Sequence, residues 1–221
     1  MRSQQSGFTL VEIAIVLVII GLLLGGILKG QELINSAKVK SLANDFRTIP
    51  TYVYAYQDKY KSLPGDDNAA TAHVSGAANA TTPAGKQGNG VIEGNWYSGT
   101  NTDESYLFWQ HVRLSNLAPG PTVVTDADYW PKNAMGGVIG MNSSSTAAAQ
   151  ITGMTGTYQI CSSGILGKFA KQLDLQMDDG NTATGSMRVT ANVTSTTFAQ
   201  STAVATASVD DATTYTVCQT F

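Results

Sequence analysis

The sequence has few charged residues, few histidines and few cysteines. Only 13% of its 221 residues are charged, about half the usual share of roughly 25%. Lys and Arg number 13 against 16 Asp and Glu, so the net charge is −3 and no nucleic-acid partner is expected. Two histidines far apart in the sequence, His73 and His111, argue against histidine-based catalysis. Two cysteines exclude a cysteine-rich zinc module and a disulfide-dense miniprotein.

The apolar residues are concentrated near the N-terminus. Residues 8–28 read FTLVEIAIVLVIIGLLLGGIL, a run of 21 residues with a single charge at Glu12. Because a helix needs about 20 such residues to cross a bilayer, the run predicts a transmembrane helix. An ordinary single-pass anchor is the simplest interpretation. A carboxylate in hydrocarbon costs about 3 kcal/mol, however, so Glu12 is a candidate functional residue.

A short polar leader precedes this apolar run. It ends in Gly7, and Phe-Thr-Leu-Val-Glu follows at once. This pattern resembles the start of a type IV prepilin or a type II secretion pseudopilin. The resemblance implies that a membrane prepilin peptidase cleaves between Gly7 and Phe8 and N-methylates Phe8.

The same resemblance implies an assembly role for Glu12. The new amine on Phe8 of one subunit would lie beside Glu12 of the preceding subunit, and each charge would offset the cost of burying the other. The alternative is that Glu12 extends to the lipid headgroups.

The chain is predicted to have four segments. Residues 1–7 are the leader, residues 8–28 are the transmembrane or filament-core helix, residues 29–62 continue that helix, and residues 63–221 form a globular head. Apolar residues of the continuation recur three or four positions apart at Leu42, Phe46, Ile49, Val53, Tyr56 and Tyr60. This spacing predicts an amphipathic helix with one buried face.

The head is predicted to be α+β. Two helices are expected, at Asp103–Leu117 and Ile165–Leu173. Segments rich in Thr, Val, Tyr and Ile predict antiparallel strands at Ile151–Ile160, Gly185–Ala199, Thr202–Val209 and Thr213–Phe221, and Gly137–Gly140 is a further short candidate. The predicted fold is therefore a long N-terminal helix packed on a C-terminal antiparallel sheet, the ladle shape that the pilin resemblance also implies.

Cys161 directly follows the predicted strand Ile151–Ile160, and Cys218 falls in the predicted strand Thr213–Phe221. An extracytoplasmic compartment permits oxidation, and pilins often close their C-terminal region with one disulfide. The resemblance therefore implies a Cys161–Cys218 bond. Two buried free thiols are the alternative.

Two acidic turns, at residues 65–68 and 174–181, are the candidate metal sites. Calcium takes six to eight oxygen ligands, often from Asp and Asn on tight loops. Major pseudopilins resemble this chain in carrying a calcium site in a C-terminal loop, so Asp174, Asp178 and Asp179 are candidate calcium ligands. Neither turn matches an EF-hand, and ordinary turn residues are the alternative. No other cofactor is expected.

The sequence therefore predicts a structural subunit rather than an enzyme. A type IV pilus subunit is favoured, because the head is large and rich in polar loops. A type II secretion pseudopilin and a membrane-tethered periplasmic binding domain are the alternatives. The expected partners are other pilin subunits, the prepilin peptidase and the inner-membrane assembly platform.

The expected location is the inner membrane with a periplasmic head, and later a surface pilus or a periplasmic pseudopilus. Lys29, Lys38 and Lys40 follow the apolar run, and the positive-inside rule alone favours the opposite orientation.

Overall fold

The computed structural model describes residues 7, 9–144, 151–197 and 199–221. The chain divides into two compact units, Met1–Lys38 and Val39–Phe221. The elements follow in the order α1 (Leu10–Tyr60), α2 (Ala70–His73), α3 (Glu104–Leu114), β1 (Ile139–Ser143), β2 (Tyr158–Leu166), α4 (Gly167–Met177), β3 (Met187–Ala191), a 3-10 turn (Thr206–Ser208) and β4 (Thr214–Thr220). One long helix followed by a small antiparallel sheet confirms the predicted α+β fold.

In the first unit, α1 presents its apolar side chains to the surroundings. Its most apolar 18-residue window has a mean hydropathy of 2.8, and none of that window is buried. Leu10 is 91% exposed, and Val18 and Leu28 are also exposed. By length and composition this helix is able to cross a membrane.

In the second unit, the C-terminal part of α1 has one buried face. The buried residues are Val39, Leu42, Ala43, Phe46, Ile49, Val53 and Tyr56. The predicted stripe is thus confirmed for five of its six positions, whereas Tyr60 is half-buried. Each fully buried large side chain contributes about 1.5–3 kcal/mol, so this face is a major part of the core. Pro50 lies inside the helix, which continues to Tyr60.

The sheet has the strand order β1-β2-β4-β3, and every pair is antiparallel. Successive side chains of β2 point to opposite faces of the sheet. Ile160 therefore joins the main core, which contains the α1 stripe, whereas Cys161 joins a second apolar cluster around Trp96. Both faces of the sheet are covered.

Loops cover both edges of the sheet. On the outer side of β1, the amides of Ile139 and Ser143 donate to the carbonyls of Pro131 and Ile92. On the outer side of β3, Val189 donates to Thr182 and accepts from Val204. These backbone groups of the two edge strands are thereby hydrogen-bonded to loops and not to a further strand.

Several predictions for the head were wrong. The strand predicted at Gly185–Ala199 is limited to Met187–Ala191. Thr202–Val209 is not a strand but contains the 3-10 turn, and it contacts β3 through single hydrogen bonds such as Val204 N–H to Val189 O. The strand predicted at Ile151–Ile160 begins only at Tyr158, because Gly153 and Gly156 adopt positive φ angles before it. Strand β2 extends to Leu166, so the helix predicted from Ile165 begins at Gly167.

Candidate functional sites

The start of α1 is a capping box formed by Thr9 and Glu12. The backbone N–H and the hydroxyl of Thr9 donate to Glu12 Oε2 at 2.8 and 2.7 Å, and the Glu12 N–H donates to Thr9 Oγ1 at 3.2 Å. Helix starts leave several N–H groups without helical partners, and this reciprocal pair satisfies two of them. Thr9 is therefore a site residue that the sequence analysis missed, although the Thr-x-x-Glu spacing was readable.

Glu12 also remains accessible to a partner molecule. Its side chain is exposed, and its hydrogen bonds within the described residues all go to Oε2. The second carboxylate oxygen, Oε1, is thus available to an incoming cationic group. Gly7 is exposed, and Phe8 lies outside the described residues, so cleavage between them and methylation of Phe8 stay predictions.

Cys161 and Cys218 form a disulfide with an S–S distance of 2.06 Å. The two residues are direct partners across the β2–β4 pair, and both are buried. Because β2 and β4 are central strands and the two cysteines have a sequence separation of 57, the bond links distant parts of the chain inside the sheet. No free cysteine remains in the chain, so the protein offers no catalytic thiol.

The predicted acidic ligands of the C-terminal turn lie together. Carboxylate oxygens of Asp174, Asp178 and Asp179 are all within 4.8 Å of one another. Asp174 is 0% exposed, and neither of its carboxylate oxygens has a hydrogen-bond partner among the described residues. Burial and the negative charges of Asp179 and Asp178 raise the pKa of Asp174 to about 6.

The other two carboxylates of this turn have ordinary turn contacts. Asp178 Oδ2 accepts from the amide of Met187 at 2.7 Å. Asp179 accepts from the Asn181 amide and the Thr184 hydroxyl at 2.8 and 2.7 Å. These contacts fit ordinary turn residues, whereas the unpartnered oxygens of Asp174 fit a calcium site. Calcium at Asp174, Asp178 and Asp179 stays a prediction.

A second acidic cluster joins Asp66, from the predicted acidic turn at residues 65–68, to two carboxylates that the sequence analysis missed. It consists of Asp66, Glu93 and Glu104, whose carboxylate oxygens also lie within 4.8 Å of one another. Asp66 follows α1, Glu93 lies in the loop before α3, and Glu104 is the first residue of α3. Burial, followed by the adjacent Glu93 carboxylate, raises the pKa of Glu104 to about 9. Ionisation of Glu104 is therefore disfavoured more strongly than ionisation of Asp174.

Gly65 brings Asp66 against α3. Its φ angle is +92°, and a Cβ at this position would collide with the backbone carbonyl of Glu104. Glycine is the residue that adopts such a φ at low cost and leaves room for the helix. Without that close approach, the Asp66 and Glu104 carboxylates would not meet.

Comparisons with known proteins bear on the N-terminal segment. Residues 2–28 match the prokaryotic N-terminal methylation motif, which is the signature of type IV pilins and pseudopilins. This class consists of structural subunits rather than enzymes. Neither the curated proteins nor the solved structures contain a significant match to the chain.

Proposed function

We propose that this chain is a structural subunit of a type IV pilus filament. The observation that carries the proposal is the methylation motif at residues 2–28, which continues directly into a helix with unburied apolar side chains. A helix of that kind requires either lipid or other protein around it. The motif implies cleavage after Gly7 and methylation of Phe8, the processing that would allow the membrane helix to enter a filament.

The proposed sequence of events begins at the inner membrane. Residues 8–28 span the bilayer, and the prepilin peptidase removes residues 1–7 and methylates the amine of Phe8. The assembly platform then transfers the helix from lipid into a bundle of identical helices. The helix continues to Tyr60. Residues 63–221 form the head, which faces the periplasm before assembly.

The Thr9–Glu12 capping box supports a role for Glu12 in this transfer. One carboxylate oxygen satisfies the start of its own helix, and the other is available to the Phe8 amine of a neighbouring subunit. In a low-dielectric filament core, each charge would offset the desolvation of the other. The pair would fix the axial register of adjacent subunits.

A pilus is favoured over a secretion pseudopilus because of the head. The unit Val39–Phe221 contains long polar loops around a small sheet, and only 13% of the chain is charged. Such a surface suits display outside the cell. A pseudopilin is the second candidate, and a tethered periplasmic binding domain is the third.

The first experiment is mass spectrometry of filaments sheared from the cell surface. We expect an abundant chain that begins at N-methylated Phe8. Detection of this terminus only in the envelope would favour the pseudopilin. An intact leader in every fraction would contradict processing and favour the tethered domain.

A second experiment tests Glu12 against a matched control. Removal of one partner of a buried ion pair costs about 3–5 kcal/mol, so Glu12→Ala should reduce filament yield about a hundredfold or more. Glu32→Ala removes an exposed carboxylate from the same helix, where it pairs with Lys29, and should leave the yield within a few-fold of wild type. Wild-type yield from processed Glu12→Ala protein would refute the pairing.

The contribution of the cap is separable from that of the pair. Thr9→Val removes the hydroxyl but keeps Glu12, so the helix start should lose about 1 kcal/mol. Filament yield should fall much less than in Glu12→Ala. Equal losses in the two variants would mean that capping alone explains the requirement for Glu12.

A further inference from the structure

Within the part of the chain that the structure describes, the cluster of Asp66, Glu93 and Glu104 has no protein countercharge. Among the described residues, no Lys, Arg or His forms an ion pair with any of the three. Lys61 lines the same cleft as Asp66, but its ammonium group is bonded to Asp58. Buried carboxylates without a counterion are rare, because desolvation disfavours the charged form.

Two oxygens of the cluster also have no hydrogen-bond donor. Glu104 is 0% exposed and its Oε2 accepts from the Glu93 amide at 2.9 Å, but its Oε1 has no partner. Glu93 Oε1 accepts from Asn89 Nδ2 at 2.9 Å, and its Oε2 is likewise buried and unpartnered. While both carboxylates are ionised, each is an acceptor only, and neither group satisfies the other.

Asp66 completes the set from the opposite side. Its Oδ1 accepts from the amides of Gly88 and Asn89, and its Oδ2 accepts from the Gly90 amide at 2.7 Å. Oδ2 therefore bonds a single N–H and retains a free lone pair. Asp66, Gly88 and Gly90 line an open cleft of about 250 Å³, which gives an ion a route to this carboxylate.

We propose that Asp66, Glu93 and Glu104 bind a divalent cation, and specifically calcium. Carboxylate oxygens are the ligands that calcium prefers, and three of them from separate chain segments suit its flexible coordination. Magnesium demands a nearly ideal octahedron and retains most of its waters, which a buried Glu104 disfavours. One cation would be a ligand partner for both Glu93 Oε2 and Glu104 Oε1, the two oxygens without a donor.

The bound ion would tie the loop of the head to its helix. Asp66 organises the turn Gly88–Gly90, and Glu93 and Glu104 join that turn to the start of α3. The head would thus be stabilised wherever calcium is abundant, whether the filament is a pilus or a pseudopilus. A proton shared between Glu93 and Glu104 is the competing explanation for the unpaired oxygens.

The test is calcium binding by the full-length chain in detergent micelles, with Asp174→Asn as the background. That substitution removes the buried carboxylate of the C-terminal turn, so only the new site is counted. The second protein is Asp174→Asn/Glu104→Gln. The introduced amide keeps an acceptor for the Glu93 N–H and adds a donor toward Glu93 Oε2, so the double variant should remain folded.

We expect calorimetric titration with calcium chloride, after removal of bound metal with EDTA, to give one equivalent in the background and none in the double variant. Five millimolar calcium should raise the Tm of the background by roughly 5 °C and leave that of the double variant unchanged. Magnesium should produce a clearly smaller rise. Absence of binding in the background, equal binding in both proteins, or an equal response to magnesium would each overturn the proposal.

Discussion

The buried histidine of α3 makes the stability of the head sensitive to mild acid. His111 Nδ1 accepts from the Gly65 amide at 2.9 Å, and Nε2 donates to the carbonyl of Ala78 at 2.8 Å. This pattern requires the neutral imidazole, because protonation would place a second N–H against the Gly65 N–H. Burial lowers the pKa of His111 below its usual value near 6.5.

The sign and size of the effect follow from proton linkage. Between the lowered folded pKa and about 6.5, the unfolded chain binds a proton at His111 and the folded chain does not. Stability contributed by the neutral imidazole is therefore complete above about pH 6.5 and is lost as the pH falls toward the folded pKa. The loss is at most about 1.4 kcal/mol per pH unit for one group.

A difference measurement isolates His111 from other titrating groups. Asp45 requires this precaution, because burial raises its pKa to about 6 and its contribution has the opposite sign. Urea unfolding of wild type and of His111→Asn, in EDTA from pH 5 to 7.5, gives the free energy of unfolding of each. The stability advantage of wild type should shrink as the pH falls.

The control for this measurement is His73→Asn. His73 is partly exposed and contacts the carboxylate of Asp67, so it lacks the bond from a backbone N–H that the His111 ring accepts. Its difference from wild type should not shrink in the same way on acidification. A wild-type advantage over His111→Asn that is constant or grows toward pH 5 would refute the reasoning about His111.

Three further predictions concern the stability of the head. Replacement of Cys161 and Cys218 by Ala should lower the free energy of unfolding by about 4 kcal/mol, because the bond closes a loop with a sequence separation of 57; a loss below about 1 kcal/mol in urea would contradict the loop-entropy argument. Gly65→Ala should cost at least about 2 kcal/mol more than Gly85→Ala in thermal unfolding, because both have positive φ but only Gly65 would bring its Cβ into collision. Phe46→Ala should cost about 3–5 kcal/mol, since Phe46 is buried in the core; equilibrium unfolding would show it, and a near-neutral result would mean that the α1 stripe does not carry the core.

Local periodicity explains which parts of the fold were predictable. The spacing of Leu42, Phe46 and Ile49 reports directly on a helix face, because all three belong to one continuous element. The Thr202–Val209 segment shows the opposite case. Its Thr and Val residues have strand propensity, but whether they form a ladder depends on their partners, and there the chain makes only isolated bonds to β3.

The two acidic clusters also differ in whether the local sequence predicts them. Asp174, Asp178 and Asp179 are close in sequence, so their proximity was predictable from one turn. Glu104 was interpretable only as an acidic residue in the first turn of a helix, where it favours the helix dipole. Its contact with Asp66 depends on the close approach at Gly65, and no local pattern encodes that approach.

The covered edges of the sheet have a consequence for crowding. A filament would hold many identical heads at very high local concentration, where an open strand edge is a template for strand exchange and aggregation. Here the outer amides of β1 donate to the loop carbonyls of Pro131 and Ile92, and Val204 contacts the outer side of β3. Neighbouring heads can therefore touch through side chains without their sheets merging, so subunits keep their individual folds while packed together.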